Sequence, residues 1–108
     1  LLDRTNGLTC FEIKTGKRLW DDSKDHSITP PGRNPQATLV WARDEKHENR
    51  ALIFNANGEL LSTTLNEEGF KIHSRSQITG KTWAHPAYSD GHIFARTDNE
   101  IVCWKLNP

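Results

Sequence analysis

The chain has 108 residues, enough for one ordinary domain that buries roughly two-thirds of the surface its unfolded form exposes. Hydrophobic residues make up 34% of it and the mean hydropathy is −0.74, so the core is thin, although four Trp and four Phe add bulky apolar surface. The 14 Lys and Arg balance the 14 Asp and Glu and are scattered, which implies no nucleic-acid or membrane-surface partner, and no apolar run is long enough to span a bilayer or mark a signal peptide.

Helical spacing of apolar positions is broken throughout by Gly, Pro or β-branched residues, whereas short alternating runs bounded by turn residues recur along the chain. A strand is expected over Leu1 to Thr5, a tight turn at Asn6-Gly7, and a strand over Leu8 to Lys14. Thr15-Gly16-Lys17 puts glycine where a short hairpin loop needs a left-handed residue, and Lys17 to Trp20 continues as a strand. The polar, proline-bearing stretch Asp21 to Gln36 reads as a linker. Strands are then expected over Ala37 to Ala42, Arg50 to Asn55, Glu59 to Leu65 and Phe70 to Ser76, with Arg43 to Asn49 as a charged, enlarged hairpin loop and Asn57-Gly58 as a turn. The last group runs over Trp83 to Tyr88, His92 to Thr97 and Ile101 to Leu106, turned by Asp90-Gly91.

Arg4 to Ile13, RTNGLTCFEI, returns almost intact as Arg96 to Leu106, RTDNEIVCWKL. Leu8, Leu60 and Ile101 each open a strand and are followed five residues later by Ile13, Leu65 and Leu106. The offsets are 52 and 41 residues, and a period in the forties holding several short strands is the arithmetic of a propeller blade. The expected fold is therefore all-β, a partial β-propeller of about two and a half blades of four-stranded antiparallel sheets. Residues 1–20 form the second half of a first blade, 21–36 a linker loop, 37–77 a second blade, and 83–108 a third blade lacking its fourth strand. The absence of Met and the start inside a unit point to a fragment or processed product, with Pro108 a true C-terminus. Two and a half blades cannot close a ring, so the remaining blades of a parent propeller, or a second copy of the fragment, are expected to cover the open faces.

Cys10 and Cys103 hold equivalent positions in separate units, too far apart for a bridge, and are expected to be buried free thiols. His26, His47, His73, His85 and His92 lack the spacing that sets two ligands on one face, and His85 and His92, which bracket a turn, approach each other if their strands pair. Asp44-Glu45, Asp90-Gly91 and Asp98-Asn99-Glu100 are acidic, but none belongs to a loop with oxygens at alternating positions and a glycine for the bend, the pattern that calcium requires. No serine elbow or activated cysteine is present, so no catalytic, cofactor-binding or metal residue is assigned. The long loops Asp21 to Gln36 and Arg43 to Asn49 are either partner-contact surfaces or plain solvated connectors.

Gly7 to Trp20, GLTCFEIKTGKRLW, resembles the repeat of the quinoprotein-like (PQQ-like) β-propellers, in which a strand is followed by Thr-Gly-Lys and then an aliphatic-Trp pair. Thr82 to Leu106 looks like the succeeding blade, with His85-Pro86 opening it and Ser89-Asp90-Gly91 turning its first hairpin. The middle blade departs from the pattern, having Glu68-Gly69-Phe70 in place of Thr-Gly-Lys and no closing tryptophan. Trp20 is expected as a flat plug between neighbouring blades, and Trp41, Trp83 and Trp104 by default the same. The resemblance implies a location often outside the cytoplasm. It also implies one of three roles: a quinone-holding dehydrogenase, an outer-membrane assembly scaffold, or a sensor or interaction domain. Fold alone does not choose among them. The dehydrogenases' adjacent cysteines and acidic calcium ligands are missing here, so the expected function is non-catalytic binding or scaffolding. The alternatives are part of an exported quinone-dependent oxidoreductase, or the extracytoplasmic sensor of a signalling enzyme.

Overall fold

The computed structural model describes residues 2–3, 5–31, 36–42, 46 and 48–106. Among them the chain is all-β, without a helix, in three antiparallel sheets of 3, 4 and 3 strands. The first sheet has the order β1 (Leu2–Asp3), β2 (Gly7–Phe11), β3 (Arg18–Asp21). The second runs β4 (Ala37–Trp41), β5 (Arg50–Asn55), β6 (Glu59–Asn66), β7 (Gly69–Gln77), and the third β8 (Ala87–Ser89), β9 (His92–Arg96), β10 (Ile101–Lys105). Every sheet is a meander in chain order, so each strand pairs with its sequence neighbour. The strand expected from Trp83 begins only at Ala87.

The turns follow from residues that tolerate positive φ. Asp90 and Gly91 have φ of 51° and 73°, the pair of left-handed residues that a two-residue hairpin requires. Gly58, at φ 78°, is constrained twice, because a Cβ there would stand 2.3 Å from the Thr79 carbonyl oxygen and 2.5 Å from that of Gly80. This close approach lets the Gly58 carbonyl accept the N–H groups of Ile78 at 3.0 Å and Thr79 at 3.2 Å, which ties the β5–β6 turn to the chain leaving β7.

Pleating splits the second sheet into two apolar faces. In the β5–β6 ladder Ile53 lies opposite Leu61 and Phe54 opposite Leu60, so adjacent rungs point in opposite directions. Ala51, Ile53, Leu61 and Leu65 meet Leu8 and Ile28 in one core, flanked by Trp20, Ala37, Phe70 and Ile72. Phe54 and Leu60 meet Ile78, Ile93 and Ala95 in another, flanked by Leu52, Tyr88 and Leu106. The second sheet thus lies between the first and the third. Burying Ile53 or Leu61 contributes roughly 1.5–3 kcal/mol each. Trp20 does bridge two sheets: its indole N–H donates to the Asn66 carbonyl at 2.6 Å and its ring lies 5.3 Å from that of Phe70.

The far face of the third sheet has no such cover among the described residues. Cys103 pairs with Phe94 and Ile101 with Arg96, and on this face Ile101 is 80% exposed and Phe94 40%. Cys103 lies with them and is exposed while Cys10 is half-buried, so both thiols are free but neither is buried as the repeat suggested. Trp41, Trp83 and Trp104 are likewise exposed and do not act as plugs. Trp41 stands at the end of an edge strand, and Trp104 lies on the last strand, where no further strand of its sheet flanks it.

Two outcomes test this packing. Gly58→Ala is expected to cost about 2–4 kcal/mol in urea unfolding, since the added methyl meets backbone as well as a strained φ. Gly16→Ala, where nothing lies within 4 Å, costs only about 1 kcal/mol. Tyr88, the one tyrosine of the chain, has its hydroxyl buried without a hydrogen-bond partner among the described residues, and burial pushes the phenol up to about 12. Because the folded value lies above the unfolded 10.0, the stability tied to the neutral phenol is complete below pH 10 and is lost as pH rises towards 12. Thermal melts across that window are expected to show the decline, and Tyr88→Phe to abolish it while raising stability by about 1 kcal/mol at neutral pH.

Candidate functional site

The segment joining β7 to β8 carries the most exposed indole of the molecule, Trp83, at 63%. Its placement is fixed by its neighbour Thr82. The Thr82 backbone N–H donates to the Ala56 carbonyl at 3.0 Å, and its hydroxyl donates to the Arg96 carbonyl at 2.7 Å while accepting the Ala84 N–H at 3.1 Å. One residue thereby fastens the segment to a turn of the second sheet and to the end of β9. Pro86 holds the other side, favouring extended backbone at His85.

Two clefts border Trp83. The first, of about 290 Å³, takes Leu2 from the first sheet, Ala37, Phe54 and Asn55 from the second, and Ala84 and His85 from the segment entering the third. It is where all three sheets converge, and its walls are mostly apolar. The second, of about 620 Å³, is lined by Lys81, Thr82, Ala84, Arg96, Thr97 and Asp98. Lys81 and Arg96 take part in no ion pair among the described residues. The pair of clefts offers an aromatic surface, an apolar pocket and two cations that take part in no ion pair among the described residues.

The linker holds a second constellation. Asp22, only 2% exposed, accepts the N–H groups of Ser27 at 3.0 Å, Ile28 at 2.9 Å and Thr29 at 2.9 Å, and the Ser27 hydroxyl at 3.0 Å. This carboxylate folds residues 22–29 into a compact loop that drives Ile28 into the first core. The loop is then fastened to the second sheet. Asn55 donates to the Ile28 carbonyl at 3.0 Å, and Arg75 donates to the Ser27 carbonyl and pairs with Glu59 at 2.9 Å. Burial pushes the Glu59 carboxyl up, but hydrogen bonds from Arg75 and Asn55 and the Arg75 charge outweigh it and hold the group below its ordinary value. Exposed Asp21 is lowered by the Ser23 hydroxyl and N–H, and Asp3 by the N–H groups of Thr5 and Asn6.

The first half of the linker is therefore in part core and bracket, through Asp22 and Ser27 to Thr29, while Ser23, Lys24 and Asp25 are exposed. Residues 32–35 lie outside the described residues, as do 43–45 and 47 of the charged hairpin loop, including Asp44-Glu45 and His47.

The other histidines do not converge. His73 meets the Thr64 hydroxyl at 2.6 Å, and His92 Nδ1 meets the Asp90 carbonyl at 2.8 Å with its ring beside Phe94. The β8–β9 ladder pairs Ser89 with His92, which puts His92 at the turn end, whereas His85 precedes the other end and lines the first cleft. Among the described residues no group of three or more His, Cys, Asp or Glu is placed to hold a metal. Sequence reasoning assigned no site residue and missed Asp22 and Thr82. The lone Ile28 inside a polar run was the available signal for the first, while the second acts only through its cross-sheet bonds.

Comparison with protein-family models, curated proteins and solved structures finds no match for the chain.

Asp22→Ala is expected to lose at least about 3 kcal/mol of stability, because it leaves buried N–H groups without an acceptor. Native-state hydrogen exchange at Ile28 and Thr29 is expected to accelerate with it.

Proposed function

We propose that the chain is a segment of a PQQ-like β-propeller that works by binding or scaffolding. The observation that carries this reading is the fate of one repeat position. Leu8, Leu60 and Ile101 each open the second-last or last strand of their sheet. Leu8 and Leu60 lie in successive inter-sheet cores, whereas Ile101 stands 80% exposed. A face built like its buried counterparts calls for a further sheet on top of it, supplied by additional blades of the same kind or by a second copy of the chain. The loops and clefts at the ends of such a stack serve as its contact surfaces, and the constellations described above supply binding groups without a nucleophile or a base aimed at one. The pairing of Trp20 with Phe70 across the first two sheets agrees with the role that the PQQ-like repeat gives its closing tryptophan.

Sedimentation velocity and binding of an apolar-surface dye test the covered face. The unmodified chain is expected to self-associate or to bind the dye, and Ile101→Asp to abolish both while leaving the far-ultraviolet circular dichroism unchanged. A monomer that binds no dye, and is unaffected by the substitution, overturns the reading. Addition of the quinone and calcium with an alcohol or sugar is expected to produce no dye reduction, and turnover in that assay would favour an oxidoreductase.

A further inference from the structure

We propose that the paired clefts around Trp83 bind an extended peptide in which an apolar side chain is followed closely by a carboxylate, the apolar group entering the cleft where the three sheets meet and the carboxylate pairing with Lys81 and Arg96. The inference deepens the binding reading above and rests on it.

Three observations converge on this occupant. The first is preorganisation: Trp83 is exposed, yet both flanking residues are fixed, Thr82 by bonds to two different sheets and Ala84 by the Thr82 hydroxyl. A rigid aromatic on an anchored backbone loses little conformational entropy when it is covered, which is the usual property of an anchor residue in a recognition surface. The second is the asymmetry of the two clefts. Leu2, Ala37 and Phe54 make the smaller cleft an apolar socket of about 290 Å³, a volume suited to one or two apolar side chains. In the other cleft, of about 620 Å³, stand Lys81 and Arg96, with Asp98 as its one acidic lining residue.

The third is charge. The chain as a whole is neutral, with 14 basic and 14 acidic residues, so two cations beside an exposed indole, without an ion-pair partner among the described residues, form a local excess that the composition does not require. A carboxylate meeting a guanidinium and an ammonium gains directional hydrogen bonds and a Coulomb term that a neutral or basic group does not. The apolar socket and the cations both border Trp83. The matching ligand therefore alternates apolar and acidic groups at short spacing, as an extended peptide does.

Fluorescence anisotropy with the full chain tests this, using fluorescein-labelled peptides of alternating Phe and Asp and, as the charge-reversed control, of alternating Phe and Lys. The acidic peptide is expected to bind at least about tenfold more tightly than the basic one, and more weakly as salt is raised. Trp83→Ala is expected to weaken it about tenfold, Trp83→Phe to retain most of the affinity, and Lys81→Glu combined with Arg96→Glu to transfer the preference to the basic peptide. Lys71→Glu, on an exposed strand position away from the clefts, leaves binding unchanged. Equal binding of the two peptides, or no change in Trp83→Ala or in the charge-reversed variant at unaltered circular dichroism, overturns the proposal. Arg96 lies across from Ile101 on the β9–β10 ladder, so the stacking of a further sheet is judged by the Ile101→Asp sedimentation result and the peptide reading by Trp83→Ala and by Lys81→Glu alone, which leave that face unchanged; either reading can then fail without the other.

Discussion

A β-sheet that is apolar on both faces cannot stand in water, and the second sheet of this chain is such a sheet. Ile53 and Phe54 are consecutive residues whose side chains enter different cores, as do Leu60 and Leu61 on the neighbouring strand. With both faces demanding cover, one neighbouring sheet is not enough, and the chain supplies one before and one after. A thin hydrophobic complement serves because the same strands are used twice, once from each side.

Polar groups do the work of alignment. The sheets are joined by connections that carry their own hydrogen-bond networks, and each network spans an interface. Asp22 shapes the entry to the second sheet, Asn55 and Arg75 receive it, and Thr82 repeats the arrangement at the entry to the third. Buried carboxylates and amides are costly unless every bond is made, so these groups favour one relative placement of the sheets over others that would bury similar apolar area.

The all-β class was legible in the sequence because it rests on local signals. Asn57-Gly58 and Asp90-Gly91 announce positive φ, and the structure has it at Gly58, Asp90 and Gly91. The two-residue alternation around Ile53 and Leu61 announces strands in the same way. What could not be read depends on partners distant in sequence. Asp22 looks like any other acid in a polar run until Ser27 to Thr29 close on it, and Trp83 resembles Trp20 in type while one is exposed and the other bridges two sheets. Cys103 was misjudged for the same reason, since burial at a repeat position depends on whether a neighbour is present to cover it. The candidate site is not legible in the sequence, because its walls come from residues as distant as Leu2 and His85.

The chain-order meander has a mechanical consequence. Since each sheet is completed by consecutive residues and leans only on the sheet beside it, cooperativity is short-ranged, and the free energy of the whole is close to a sum of units and their junctions. The outer sheet can peel away at its single junction while the inner one persists, so damage to one end stays at that end. Low sequence separation between paired strands also lets each sheet form as soon as its residues are synthesised, each finished face serving as the template on which the next one settles.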